Sequence, residues 1–266
     1  TWGEVRKLNA SDGAPDDWFG LSVEVRGDIA AVGAPVDIYS DTNKNQGSAY
    51  VFERNAGGSD NWGEVRKVIA SDGTASNGFG YAVGTSGDTI VAGACNTSPG
   101  ATNMGSVYVF ERNAGGPGNW GEVKKLSASD GSKEARFGTS VSIDGDIIVV
   151  GAGWATVNGN IEQGTAYVFE RNAGGTNNWG EVKKLVASDG GGVDYFGYQV
   201  AVRGSTVVAG AQSAGVGTNT QGAVYVFERD AGGPNNWGEV RKLVALDGHM
   251  GDSVGSAVAM GGDVVV

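Results

Sequence analysis

The stretch NWGEVRKVIASDGTASNGFG, Asn61–Gly80, returns as NWGEVKKLSASDGSKEARFG at Asn119–Gly138, again from Asn178 and from Asn236, and without its leading Asn from Trp2. Its landmarks are evenly set. Seventeen residues after Trp2, Trp62, Trp120, Trp179 and Trp237 stand Phe19, Phe79, Phe137, Phe196 and, in the last copy, Val254. Fourteen residues after each Phe comes a Gly-Ala pair, at Gly33, Gly93, Gly151 and Gly210. Twelve residues before each later Trp comes a YVFER run, from Tyr50, Tyr108, Tyr167 and Tyr225. Only the interval from Gly-Ala to Tyr varies, at 17, 15, 16 and 15 residues.

Composition bounds what such a repeat can be. The chain has 266 residues, 48 of them Gly, well above the usual ~7%, while hydrophobic residues still make up 40%. Many short strands joined by glycine turns give that mixture. A single Cys95 excludes an internal disulfide framework. No apolar run approaches the ~20 residues of a membrane helix. No signal peptide opens the chain, which fits a mature or excised segment. The net charge of −11, with no basic stripe, argues against nucleic acid as a partner.

Each repeat reads as four short strands. Strand A follows Phe-Gly, as in FGLSVEV, where Leu21, Val23 and Val25 alternate. Strand B, as in GDIAAVGA, is continuously apolar and is expected to be buried on both faces. Strand C, as in GSAYVFER, is aromatic and β-branched. Strand D, as in WGEVRKL, is charged, as an outer strand should be. Its apolar residues Val5 and Leu8 break strict alternation, which predicts a bulge. The A–B link is a two-residue turn with Gly first, which is hairpin chemistry. The constant interval between YVFER and WGEV predicts one hairpin closed by the Ala-Gly-Gly loop.

Four antiparallel strands in a repeat near 58 residues predict an all-β fold, a β-propeller, because a lone four-stranded sheet cannot cover both faces while stacked blades can. Five repeat units are visible, the last incomplete, in a ring of five to seven blades. One domain over 1–266 is expected, with the D strand of a closing blade at 1–9, blades at 19–69, 79–127, 137–186 and 196–244, and a partial fifth at 254–266. The Phe-Gly followed by Gly-Ala, and in the first copy Gly33-Ala34-Pro35, resembles the FG-GAP repeats that form the blades of integrin α-subunit propellers. The whole chain is similar in particular to FG-GAP repeat proteins of bacterial and algal surfaces. The resemblance implies a secreted or cell-surface location and a binding role. Val254 in place of Phe, and Pro in the first copy alone, depart from the pattern.

In such a blade the A–B and C–D links lie on one face and the B–C and D–A links on the other. The first face is nearly constant, with minimal turns and RNAGG or RDAGG loops. The second differs from copy to copy, in PVDIYSDTNKNQ, CNTSPGATNM, GWATVNGNIEQ and QSAGVGTNTQ and after each ASDG. Repeated words serve the fold, and changed words are free to serve a partner. The candidate binding residues are therefore Trp18, Asp37, Tyr39, Asp41, Trp154 and Tyr195, all in those loops. The expected function is an extracellular recognition or structural module working by protein–protein contact or self-assembly. The alternative is a lectin-like propeller binding glycans, which should repeat its aromatics from blade to blade.

Other motifs read as structure. Arg26-Gly27-Asp28 spells an adhesion tripeptide, yet sister copies show that Gly-Asp is the turn and the Arg varies. The Asp of each SDG is read as a turn cap. Asp17, Asn77, Asp194 and Asp252, two residues before the Phe position, are expected to tie their loops to backbone amides. No metal site and no cofactor are expected. Calcium needs clustered oxygen ligands, and Asp144-Gly145-Asp146 has only two carboxylates, which leaves Asp37 and Asp41 as the residual candidates. His249 and Cys95 stand in different units and form no nucleophile–base pair, so no catalytic residue is assigned. Asn9-Ala10-Ser11 and Asn96-Thr97-Ser98 are glycosylation sequons in or beside the variable loops.

Overall fold

Each of the first four repeats folds into one four-stranded antiparallel sheet in the computed structural model, which describes residues 3–37, 45–96, 104–217, 219–262 and 264–266. The first blade holds β1 (Val23–Arg26), β2 (Ile29–Ala34), β3 (Ser48–Glu53) and β4 (Gly63–Val68). The second holds β5 (Phe79–Ser86), β6 (Thr89–Ala94), β7 (Ser106–Glu111) and β8 (Gly121–Leu126). The third holds β9 (Ser140–Asp144), β10 (Ile147–Ala152), β11 (Thr165–Glu170) and β12 (Gly180–Leu185). The fourth holds β13 (Phe196–Arg203), β14 (Thr206–Ala211), β15 (Ala223–Glu228) and β16 (Gly238–Leu243). A two-stranded start of a fifth pairs β17 (Met260–Gly261) with β18 (Val264–Val265). In every full blade the strands neighbour one another in chain order.

Local chemistry sets these elements. The A–B hairpins turn at Gly27-Asp28, Gly87-Asp88, Gly145-Asp146 and Gly204-Ser205. The first turn residue has φ of +62°, +57°, +58° and +55°, as a type II′ turn requires. The bulge expected in strand D is present in all four full blades, where Val65, Val123, Val182 and Val240 are the extra residues against strand C. YVFER and WGEV form the outer hairpin of each blade, as expected. Strand B is buried along its whole length in the first three blades.

The core lies between blades. One cluster joins Ile29, Ala31 and Val51 of the first blade to Phe79, Tyr108, Phe110 and Trp120 of the second. Two further clusters repeat the arrangement between the second and third and between the third and fourth blades. Each blade thus turns its Tyr, Phe and Trp toward the preceding blade and its aliphatic side chains toward the next. Phe79, Phe137 and Phe196 are almost fully buried and meet the Tyr and Phe of their own strand C edge-on, at 5.5–5.9 Å. The recurring Phe-Gly and Gly-Ala pairs meet across this interface. A Cβ on Gly93 would lie 2.0 Å from the carbonyl oxygen of Gly138, and one on Gly151 would lie 2.0 Å from that of Gly197. Only a side chain of hydrogen lets the blades approach this closely.

The five A strands line a central channel of about 720 Å³. Strand A differs from expectation at two points. β1 and β9 begin four and three residues after their Phe, although Gly20 and Gly138 still donate to Gly33 and Gly151 at 2.9 Å. β1 is also not buried: Val23 is 64% exposed, whereas its counterparts Val83, Val141 and Val200 are 5–8% exposed against a preceding blade. The segment expected as the closing D strand forms no strand over residues 3–10.

Candidate functional site

The repeated charges are spent on joining blades. Tyr50, Tyr108, Tyr167 and Tyr225 donate through their hydroxyls to Asp12, Asp72, Asp130 and Asp189 at 2.6–2.8 Å. Lys67, Lys125, Lys184 and Lys242 donate to the second oxygen of the same carboxylates at 2.6–2.8 Å. The preceding Ser gives its N–H and hydroxyl to a Glu 51–53 residues on, as Ser71 does to Glu122 and Ser129 to Glu181. The SDG aspartate is therefore more than a turn cap, because it clamps one repeat to strands C and D of the next. Burial alone would raise each of these carboxyls, but the hydrogen bonds from Lys and Tyr outweigh it and hold all four below the usual range.

The other end of each strand C carries a second ladder. Arg112 pairs with Glu53 of the preceding blade at 3.1 Å, Arg171 with Glu111, and Arg229 with Glu170 at 2.5 Å. Each of these guanidinium groups also lies over the Trp of its own blade, at 4.4–5.7 Å from the ring centre. Arg26 of the adhesion-like tripeptide reaches over the channel to Asp144 and donates to the Ile143 carbonyl at 3.0 Å. Asp146 is held by Arg171 at 2.6 Å. Among the described residues no group of three or more His, Cys, Asp or Glu is placed to hold a metal ion.

The variable loops give a different picture. The residue just before each Phe-Gly position has a left-handed backbone in all five copies: Trp18 at φ +58°, Gly78 at +66°, Arg136 at +53°, Tyr195 at +57° and Ser253 at +57°. Gly78 shows that glycine fits the slot, yet three copies place a large side chain there, at about 1 kcal/mol or more of backbone strain each. The loop beneath is tied as expected. Asp17, Asp194 and Asp252 accept from the backbone N–H three residues earlier at 2.6–2.7 Å, and Asn77 accepts from the Thr74 hydroxyl at 2.9 Å.

Two of the candidate binding residues come together. Trp154 meets Tyr195 at 5.9 Å and Tyr198 at 5.7 Å, and the Arg136 guanidinium lies 5.0 Å from its ring centre. Tyr81 of the second blade lines the channel wall, and burial is the main cause that pushes its hydroxyl up. The cluster itself draws on loops of the third and fourth blades. Tyr195 donates its hydroxyl to Glu162 at 2.8 Å.

Trp18 stands apart from this cluster and is 58% exposed. Asp37 is 4% exposed, and its carboxylate is taken by Lys67 at 2.5 Å and Tyr50 at 3.1 Å, so it faces the clamp rather than a partner. Tyr39 and Asp41 lie outside the described residues, as do Thr97 and Ser98 of the second sequon. Asn9 and Asn96 are both exposed. Sequence reasoning passed over Arg136, Tyr198 and Tyr81. The available signal was the slot before Phe-Gly, which runs Trp, Gly, Arg, Tyr, Ser through the five copies.

A family model described as FG-GAP repeat matches the chain five times, over residues 2–52, 62–110, 120–169, 179–227 and 237–266. Comparison with curated proteins gives no match.

Proposed function

Because this chain belongs to the FG-GAP repeat family, whose repeats here build β-propeller blades, we propose that it is a non-enzymatic recognition module of the cell surface or extracellular space. It works by protein–protein contact through the face built from the B–C and D–A loops. The observation that carries this reading is the strained slot before Phe-Gly, where Trp18, Arg136 and Tyr195 keep a left-handed backbone that glycine would hold without strain. The buried Trp120, Trp179 and Trp237 carry the same strain for the fold, but they are the same residue in every copy, whereas this slot changes its side chain from copy to copy at the rim of the loop face. Two further points support it. Cys95 is buried and its thiol is pushed up to about 11, mainly by burial, so it is a poor nucleophile. Asn9 and Asn96 present exposed side chains, as glycan acceptors of a secreted protein do.

The test shields one face at a time. A bulky polymer is attached through Ile161→Cys on the loop face or Pro117→Cys on the opposite face, both exposed positions. Binding to a panel of secreted and surface proteins is then measured, with glycans in parallel. Protein binding lost with the Ile161 polymer and kept with the Pro117 polymer is the expected result. Loss from the Pro117 side alone would overturn the proposal, and binding to glycans alone would favour the lectin-like alternative.

A further inference from the structure

We propose that Arg136, at the loop-side mouth of the channel, is the receptor for a carboxylate of a partner protein, an Asp or Glu side chain on a segment that enters the mouth. This rests on the loop-face reading above and names the chemistry of what that face takes. The half-buried arginines among the described residues are Arg26, Arg54, Arg112, Arg136, Arg171 and Arg229. Five of them meet a carboxylate: Arg26 has Asp144, Arg54 has Asp28, Arg112 has Glu53, Arg171 has Glu111 and Arg229 has Glu170. Arg136 lies on the Trp154 ring and meets no carboxylate among the described residues. In a chain of net charge −11, a half-buried guanidinium that meets no carboxylate among the described residues is an exception with a purpose.

The site around it fits that ligand. A guanidinium with one face on an indole keeps its N–H edges free, and a carboxylate accepts them in pairs. Thr139, three residues on, lines the same channel. Tyr81 supplies an apolar shoulder at the channel wall. An acidic sugar fits less well, because the Trp154 ring already meets Arg136, Tyr195 and Tyr198 and offers little free face for stacking.

The experiment is a titration followed through the indole N–H resonance of Trp154, assigned with Trp154→Phe. The probes are N-acetylglutamate methylamide, its glutamine analogue and glucuronate. The expected result is a saturable millimolar shift with the glutamate probe, at least tenfold weaker in Arg136→Gln, and none with the glutamine analogue. Should Arg136→Gln fail to fold, Arg136→Lys keeps the charge, loses the paired N–H edges and should weaken the shift several-fold. No saturable shift, an equal response in the variant, or a stronger response to glucuronate would overturn the proposal. If the titration fails while the Ile161 polymer still abolishes protein binding, this inference falls and the loop-face reading stands.

Discussion

At one end of the third blade, Arg171 lies 4.4 Å from the Trp179 ring centre and is held by Glu111, by Asp146 at 2.6 Å, by Asn177 at 2.9 Å and by Thr89 at 3.0 Å. At the other end, Arg136 lies 5.0 Å from the Trp154 ring centre and meets no carboxylate among the described residues. The stacking is alike and the surroundings are opposite. Arg171 belongs to a word spoken in every repeat, and two of its partners, Glu111 and Thr89, come from the neighbouring blade, so its charge is taken up within and between blades. Arg136 stands in a slot that changes with each repeat, and its donors meet no carboxylate among the described residues. Repetition in this chain marks residues that hold blades together, and variation marks residues left to meet something else.

The largest effect expected on the repeated side is at the aromatic that each blade lays against its predecessor. Phe137→Ala should destabilise the fold by about 3–5 kcal/mol, as truncation of a fully buried ring does. Phe19→Ala, at the same repeat position but only half-buried, should cost about 1–2 kcal/mol. Denaturant melts of the two variants sharpen the contrast, and equal losses would show that burial between blades is not what the Phe supplies.

Acid should act on the clamps next. Asp12, Asp72, Asp130 and Asp189 are held below the usual carboxyl range, so the folded chain keeps them ionised at a pH where the unfolded chain has begun to bind protons. Their contribution is fully present above the unfolded value of about 4 and is lost as pH falls through the lower folded values. The melting temperature should therefore fall on acidification below about pH 4. Asp130→Asn should cost about 1 kcal/mol at neutral pH and make that fall shallower. A melting temperature flat from pH 5 to pH 2 would contradict the clamp.

On the variable side the sign reverses. Trp18 is exposed and strained, so Trp18→Gly should raise stability by up to about 1 kcal/mol by relieving a left-handed backbone. A destabilised variant would mean that Trp18 packs for the fold. The smallest effect is expected from chelation. Asp37, Asp144 and Asp146 have their carboxylates taken by Lys67, Arg26 and Arg171. EGTA should leave the melting temperature unchanged, whereas a calcium site filled at 100 times its Kd would shift stability by about 2.7 kcal/mol.

Strands, turns and the D-strand bulge were legible because each follows from local chemistry: period-two alternation, glycine at a turn, Val5 and Leu8 three apart. The clamps were not, because Tyr108 and Asp72 stand 36 residues apart and meet only when blades stack. The same stacking brings Trp154 and Tyr195 into contact while leaving Trp18 alone. Asp37 looked like a loop acid open to a ligand, but the partner that buries it, Lys67, lies on strand D of the same blade. The Arg136 cluster joins loops of two blades, and no spacing along the chain announces a meeting of three loops.

The most direct test of this division compares the two arginines of the third blade. Arg171→Gln should cost about 2 kcal/mol, since it removes charge-assisted hydrogen bonds and leaves Glu111 and Asp146 without their cation. Arg136→Gln should cost no more than about 1 kcal/mol, the worth of its one cation–π contact with Trp154. Side-by-side denaturant melts that give those two values support the account, and equal losses, or a larger loss at Arg136, would contradict it.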